Sequence, residues 1–182
     1  HNCLVGSEMC IRDRRTTAAV KVQATTGSIF DTSDSQQKDI VAAVIDLTAG
    51  QSIGTSTNAL ETQVAEMTAV AGGGVWVDNM GDLDVQLLSA GDDVVLNNMG
   101  NLLVSGPFDS NSGDILTTST GDTVVKSSVT SGGGRIEMLA DSDLDLTDTA
   151  SIDSESGDRG IRLDAGAAID LADGSLINGQ SG

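Results

Sequence analysis

The sequence predicts an all-β fold, a right-handed parallel β-helix (a solenoid) of about seven coils of roughly 19–25 residues each. Three observations support this prediction. A short sequence motif recurs along the chain with a period of about twenty residues. Aliphatic residues alternate with polar residues inside each copy, and glycines separate the short aliphatic segments. Repeats of this kind cannot bury an apolar face alone, so they stack on their neighbours.

The repeat is clearest in two neighbouring copies. Val77–Val85 is followed nineteen residues later by Leu96–Val104, and both copies carry Asn-Met-Gly between two aliphatic segments. If the copies stack, Asn79 lies over Asn98 and the methionines beside them are also in register. Stacked asparagines hydrogen-bond along the axis of a sheet, so we interpret this pair as structural.

The strands follow from aliphatic pairs at positions i and i+2, because side chains two residues apart in a strand lie on one face. Each strand is only about three to five residues long and buries too little on its own, so it must pair in parallel with the next coil at about 4.8 Å. The pairs are Val75/Val77, Leu83/Val85, Val94/Leu96, Leu102/Val104, Ile136/Met138, Leu144/Leu146, Ile161/Leu163 and Ile169/Leu171.

The spacing of the inward positions predicts the coil. Val75, Val94, Ile115 and Ile136 follow one another at 19, 21 and 21 residues, and we expect them to stack. Crossovers between parallel strands are overwhelmingly right-handed, which gives the hand. After Ile136, inward positions recur every eight or nine residues, so three corners make a coil of about 25 residues. These positions are Leu144, Ile152, Ile161, Ile169 and Ile177.

The corners are predicted from glycine and proline. Glycine triplets at 72–74 and 132–134 introduce strands, since corners often need a backbone conformation that only glycine adopts freely. Pro107 is the only proline and is placed inside the longest corner, Ser105–Gly113, because proline in a paired strand would lose a ladder hydrogen bond.

The region before Val75 is less regular. Val22–Ile29 echoes Leu47–Ile53, which predicts two earlier coils. Residues 57–70 allow a second interpretation, a short helix lying on the solenoid, because four aliphatic residues fall at helical spacing. These residues are Leu60, Val64, Met67 and Val70.

The first fourteen residues are predicted to be foreign to the protein. Residues 3–14 resemble the translation of a sequencing-library adapter end, and they contain both cysteines, Cys3 and Cys10. A scar of this kind is left out of fold reasoning. We therefore expect residues 1–14 to be an adapter-derived artefact and residues 15–182 to be a fragment of a parallel β-helix that is open at both ends.

The composition limits the kinds of partner that the chain can bind. The formal net charge is −18, from 27 acidic and 9 basic residues, and such a field repels nucleic acid. The longest apolar run, Ile40–Ile45, is far shorter than the roughly 20 residues of a membrane-spanning helix. Without cysteine beyond the adapter-like segment, the composition fits a secreted bacterial protein.

Acidic residues are the candidates for chemistry. Asp82/Asp84 and Asp143/Asp145 each project outward at a separation suited to a glycosidase, with Lys126 or Arg135 available for an acidic sugar. We favour the simpler interpretation, that alternating aspartates keep the surface soluble, and we assign no catalytic residue.

Metal and sugar binding have weaker candidates. Asp141, Asp143, Asp145 and Asp148 crowd one coil, and Asp92/Asp93 another, so calcium is a possible ligand, although we assign no metal-binding residue and expect diffuse cation screening. Trp76 should face outward, where it either stacks on a sugar ring or covers a coil edge.

With these motifs in place, the chain resembles the repeat regions of filamentous haemagglutinin-like adhesins and autotransporter passenger domains. The phrases that carry the resemblance are Ile45–Gly54, Gly74–Val85 and Gly160–Leu171, and it extends over residues 16–182. The resemblance implies a right-handed β-helix stalk on the outer surface of a bacterium, supporting attachment or biofilm. The surface or glycan ligand would bind outside this fragment, and the chain would not be an enzyme. The alternative is an extracellular polysaccharide lyase or hydrolase on the same scaffold.

Overall fold

The structure is a computed structural model that describes residues 3–5, 8–11, 14–32, 37–155 and 160–179. All regular structure in these ranges is β-strand. The strands are β1 (Cys3–Val5), β2 (Glu8–Ile11), β3 (Arg14–Arg15), β4 (Val20–Ala24), β5 (Ile29–Asp31), β6 (Ile40–Val41), β7 (Val44–Ala49), β8 (Leu60–Gln63), β9 (Glu66–Ala71), β10 (Val75–Met80), β11 (Leu83–Ala90), β12 (Val94–Met99), β13 (Leu102–Val104), β14 (Phe108–Ser110), β15 (Ile115–Ser119), β16 (Thr123–Val125), β17 (Ser128–Ser131), β18 (Ile136–Ala140), β19 (Leu144–Leu146), β20 (Ser151–Ser154), β21 (Ile161–Ala165), β22 (Ile169–Leu171) and β23 (Leu176–Gly179).

The predicted parallel β-solenoid of about seven turns is confirmed. One face is an eight-stranded sheet in the order β21-β18-β15-β12-β10-β8-β6-β3, and its strands are parallel. Val75 pairs with Val94, Val94 with Ile115, and Ile115 with Ile136, as the spacing predicts. The right hand of the coil stays a prediction.

The cross-section changes along the axis. In the early coils the second side of the solenoid is a single strand, as in β4, β7 and β9. The eight-residue β11 pairs with β9 from Asp84 to Ala90, with an irregularity at Gln86. Beyond β11 this side divides into two ladders, β13-β16-β19-β22 and β14-β17-β20-β23. Three strand segments per coil are therefore present after β11 and also in the first coils, where β4, β5 and β6 follow one another and Ile53 bridges to Ile29 and Val75 between β7 and β8. The predicted three corners are wrong only for the coils β9–β10 and β11–β12, which have two long strands each.

The 25-residue coil is confirmed on all three faces. Ile136 pairs with Ile161, Leu144 with Ile169 and Ile152 with Ile177. The earlier echo is confirmed as well, since Val22 pairs with Leu47 and Ile29 forms a bridge to Ile53. Inward side chains alternate with half-buried or exposed ones, and the buried ones form one continuous core.

The expected long corner at Ser105–Gly113 is wrong, because it contains strand β14. Phe108 pairs with Leu88 in one neighbouring coil and with Val129 in the other, and its side chain is fully buried. Pro107 lies just before this strand, where its carbonyl accepts a hydrogen bond from Leu88 N at 2.9 Å. Although proline has no N–H to donate, its carbonyl can still accept a hydrogen bond from the coil before it.

The helical interpretation of residues 57–70 is wrong and the strand interpretation is confirmed. The segment forms β8 and β9, which are parallel to β10 and β11. A helix would have placed Val70 on the buried face, but its side chain is 36% exposed while Ala69 and Ala71 are buried. Pairing with coils on both sides outweighs the helical spacing of four aliphatics.

The two ends of the described chain differ. β1 pairs with β2 in antiparallel fashion, and β2 pairs with β5 in parallel. The adapter origin of residues 1–14 stays a prediction, and residues 1–2, 6–7 and 12–13 of that segment lie outside the described residues. In the last coil the inward positions face solvent, with Leu171 and Ile177 52% and 40% exposed.

Candidate functional site

Most corner carboxylates form hydrogen bonds to the next coil. In one column, Asp82 Oδ1 accepts from Asn101 N at 2.9 Å, and Asn101 Oδ1 accepts from Asp122 N at 2.9 Å. Asp122 Oδ1 accepts from Asp143 N at 3.3 Å, and Asp143 Oδ1 from Ala168 N at 3.0 Å. Each side chain satisfies the backbone N–H of the same position one coil later. The frequent Asp and Asn at corners are therefore part of the coil-to-coil hydrogen bonding as well as of the soluble surface.

Two acids on this face have pKa values that are shifted in opposite directions. Hydrogen bonds from the Ser142 side chain and then from the Asp143 backbone lower the pKa of Asp122. Desolvation, followed by repulsion from Asp170, Asp143 and Asp122, raises the pKa of Asp145. Hydrogen bonding therefore stabilises the negative charge of Asp122, whereas burial and repulsion disfavour that of Asp145.

The first pair weighed for catalysis, Asp82/Asp84, is held in this framework. Asp84 Oδ1 accepts a hydrogen bond from Ser105 Oγ. Asp82 and Asp84 nevertheless line an open depression of about 450 Å³ together with Asp122 and Lys126, so the structure brings the predicted cation and carboxylates to one place.

The remaining basic candidate lies elsewhere. Arg135 forms ion pairs with Asp114 Oδ2 and Glu137 Oε2, both at 3.4 Å. In the second pair, Asp143 is bonded to Ala168 N, and Asp145 pairs in register with Val124 and Asp170. The structure therefore does not bring Arg135 to the depression formed by Asp82 and Asp84.

The predicted asparagine pair is a buried hydrogen-bonded ladder. Asn79 Oδ1 accepts from Thr62 Oγ1 at 2.9 Å and from Val64 N at 3.0 Å. Asn79 Nδ2 donates to Asn98 Oδ1 at 3.0 Å, and to Val64 O and Gly81 O at 3.3 Å each. The structural interpretation is confirmed. The methionines next to this pair are also in register, Met80 with Met99, and both are exposed.

Trp76 is half-buried on the outer face of β10, as its position between Val75 and Val77 predicts. Its ring covers Gly74, where a Cβ would lie 2.2 Å from Trp76 Cη2. The ring also borders an open pocket of about 420 Å³ with Phe30 and four hydroxyl residues. These are Ser28, Ser52, Thr55 and Ser56. Trp76 covers a coil edge and leaves part of its face in this pocket.

A cluster of three carboxyl groups lies near this pocket. Asp31 ends β5, Asp39 precedes β6, and Glu61 lies in β8. One oxygen from each lies within 4.8 Å of the other two. Asp31 and Asp39 are only 4% and 3% exposed. Glu61 N donates to Asp39 Oδ2 at 3.0 Å, and Glu61 Oε2 is buried without a hydrogen-bond partner.

Burial raises the pKa of Asp39 to about 8, with the side-chain hydrogen bond that protonated Asp39 donates to Glu61 and repulsion from Asp31 and Glu61 acting in the same direction. The ordinary value is 3.8. Taking three acids out of water while close together disfavours their charged forms. In the metal-free protein Asp39 therefore holds a proton at neutral pH.

This proton makes stability depend on pH. Between about pH 4 and pH 8 folded Asp39 holds a proton that the unfolded chain has released, so the free energy of unfolding falls as pH rises and levels off above about 8. One carboxyl contributes at most about 1.4 kcal/mol per pH unit. We expect Asp39→Asn to remove this part of the slope in urea unfolding in metal-free buffer. The exposed Asp148→Asn should keep it, and equal slopes in the parent and Asp39→Asn would contradict the assignment.

Sequence reasoning missed this cluster. In the part of the chain that the structure describes it is the one place where three carboxylates meet at the distances of a common ligand, and the predicted groups Asp141–Asp148 and Asp92/Asp93 do not. The available signal was the spacing of Asp39 and Glu61, 22 residues, which is one coil length. Asp31 could not be placed from the repeat, because residues 32–39 interrupt it.

The sequence matches no protein-family model, no curated protein and no solved structure. Within the described ranges, no helix is long and apolar enough to cross a membrane.

Proposed function

We propose that this chain is a stalk segment of a secreted bacterial surface adhesin, and that it supports attachment or biofilm by holding a binding region away from the cell. The observation that carries the proposal is the unbroken parallel pairing from β10 to β21, in which every coil is bonded to the next on each face. Side-chain ladders such as Asp82–Asn101–Asp122 strengthen the same contacts. Continuous pairing along one axis makes a segment stiff.

The surface chemistry of the chain supports a location outside the cell. The net charge of −18 favours solubility and disfavours nucleic acid as a partner. The corners of the later coils are short and carry Asp, Asn, Ser and Gly. We propose that this segment acts as a spacer, while recognition of a surface or glycan takes place elsewhere in the adhesin.

A polysaccharide-active enzyme is the second candidate, and one observation favours it. Asp82, Asp84, Asp122 and Lys126 share one open depression, where a cation could bind an acidic sugar beside carboxylates. Against it, Asp82 and Asp122 accept hydrogen bonds from backbone N–H groups of the next coil, and Asp84 accepts one from the Ser105 hydroxyl. Carboxylates engaged in these hydrogen bonds stabilise the contacts between neighbouring coils.

The two candidates differ in a direct experiment. The chain is displayed between an outer-membrane anchor and a carbohydrate-binding tip, and attachment of the cells to a glycan-coated surface is measured under flow. We expect attachment to depend on the folded spacer and to fall when Gly91→Ala disrupts it. Equal attachment with both spacers would contradict the stalk. The purified chain is also incubated with neutral and acidic polysaccharides, and release of reducing or unsaturated ends, abolished by Asp84→Asn, would favour the enzyme.

A further inference from the structure

The geometry points to a calcium site among the first coils, formed by the carboxylates of Asp31, Asp39 and Glu61. This inference does not depend on the stalk proposal. It concerns a different part of the molecule from the aspartate groups at positions 92–93 and 141–148.

Burial makes the cluster unusual among the acids of this chain. The other described aspartates are all at least partly exposed, whereas Asp31 and Asp39 are at least 96% buried. A buried carboxylate is costly unless it is protonated, paired or bound to a cation. Among the described residues, neither Asp39 nor Glu61 forms an ion pair with lysine or arginine.

An orphaned oxygen gives an independent observation. Glu61 Oε2 is shielded from solvent and has no hydrogen-bond partner. Buried polar atoms are nearly always satisfied, and an unsatisfied one in a native fold calls for a missing partner. A carboxylate oxygen accepts only, so its missing partner is a donor or a cation. In the metal-free protein the proton held by Asp39 provides a donor to Glu61, and a cation that displaces this proton would bind the oxygen in its place.

The distances fit a hard divalent ion. One oxygen from each residue lies within 4.8 Å of the others, which is the span of two calcium–oxygen bonds of about 2.4 Å. Calcium takes about six to eight oxygens, and three carboxylates bound through one or two oxygens each, with water, supply that number. The donor set is all oxygen, which does not favour zinc or copper.

The chain already positions the ligands. Glu61 N holds Asp39 Oδ2 at 3.0 Å, and Asp39 N donates to Glu61 O at 2.8 Å, so these two residues are fixed across neighbouring coils. Asn58 Nδ2 donates to Asp31 O at 3.3 Å and ties Asp31 to the loop before β8. The ion would cross-link β5, β8 and the segment before β6.

Calcium binding is tested on the full chain by equilibrium dialysis and by thermal unfolding in chelator and in about 1 mM calcium, a concentration suited to extracellular sites. We expect about one calcium per chain and a higher Tm, because an ion that binds only the folded state stabilises it. Glu61→Gln and Asp39→Asn should each weaken binding at least about tenfold and abolish the Tm shift. Glu61→Gln removes a negative charge and Asp39→Asn replaces a protonated carboxyl with a neutral amide, so the apo variants remain foldable.

The matched control is Asp148→Asn, which makes the same change of charge on an exposed aspartate and should keep both the stoichiometry and the Tm shift. No binding by the parent, or an equal Tm shift in Glu61→Gln, would overturn the site and leave only diffuse screening of the acidic surface. A Tm shift of the same size with magnesium at the same concentration would overturn the assignment to calcium.

Discussion

Asn79→Ala is expected to lower the free energy of unfolding by about 2–4 kcal/mol, because it leaves several buried polar groups without partners. The Asn79 amide accepts from Thr62 Oγ1 and Val64 N and donates to Val64 O, Gly81 O and Asn98 Oδ1. Its side chain is 1% exposed, so water cannot replace these bonds. Urea unfolding followed by far-ultraviolet circular dichroism measures the change.

Asn97→Ala is the matched control, one position from Asn98 on the outer side of the same strand. Asn97 donates to Asp78 Oδ1 at 2.8 Å and accepts from Thr118 Oγ1 at 2.9 Å, but these bonds are only part-buried. We expect a loss within about 1 kcal/mol, since water can solvate the groups left behind. A loss as large as that of Asn79→Ala would show that exposed ladders stabilise the coil as much as the buried one.

Gly91→Ala is expected to destabilise the chain by at least about 2 kcal/mol, or to abolish cooperative unfolding, because the new methyl group has no room. A Cβ at Gly91 would lie 2.0 Å from Gly72 O in the coil before it, and a Cβ at Gly72 would lie 2.3 Å from Gly50 O. Both obstacles are backbone atoms of a paired coil, so the clash is relieved only by separating the coils.

Gly179→Ala is the control for this substitution. Its nearest heavy atom would be Ile161 Cδ1 at 4.0 Å, which is ordinary van der Waals contact. We expect no measurable change in Tm by scanning calorimetry. If Gly91→Ala left the Tm unchanged as well, the close stacking of Gly50, Gly72 and Gly91 would not be a requirement of the fold.

The repeat made most of the architecture predictable. Val75, Val94 and Ile115 could be stacked from the sequence, because a solenoid turns equal spacing into vertical neighbours. The asparagine pair followed from the same register. In both cases one period, read from two nearly identical copies, determines where side chains meet.

The departures arise where one residue changes a corner. The irregularity at Gln86 marks the point where one side of the solenoid divides into two strands. The sequence repeat contains no feature that predicts this division. Pro107 suggested a corner, yet Phe108 next to it is buried in a strand, because proline interferes only with its own N–H.

Ala49, Ala71 and Ala90 stack in successive coils, and the serines that continue this column were not predicted either. Ala90 pairs with Ser110, and Ser110 with Ser131. The hydroxyl of Ser131 donates to Gly113 O and Gly134 O, which makes a polar side chain acceptable inside. Of the candidate cation site, only the one-coil spacing of Asp39 and Glu61 could be read from the sequence.

The ladder hydrogen bonds that join the coils run along the solenoid axis, and this direction governs the response to tension. A load applied at the two chain ends acts first on the bonds of an outermost coil, since inner coils are held on both sides. Each coil that peels away lets out about 20 residues, or roughly 70 Å of extended chain. Under shear the solenoid would therefore unfold coil by coil, in many small steps. The work of extension would be spread over these steps, so that no single rupture takes the whole load.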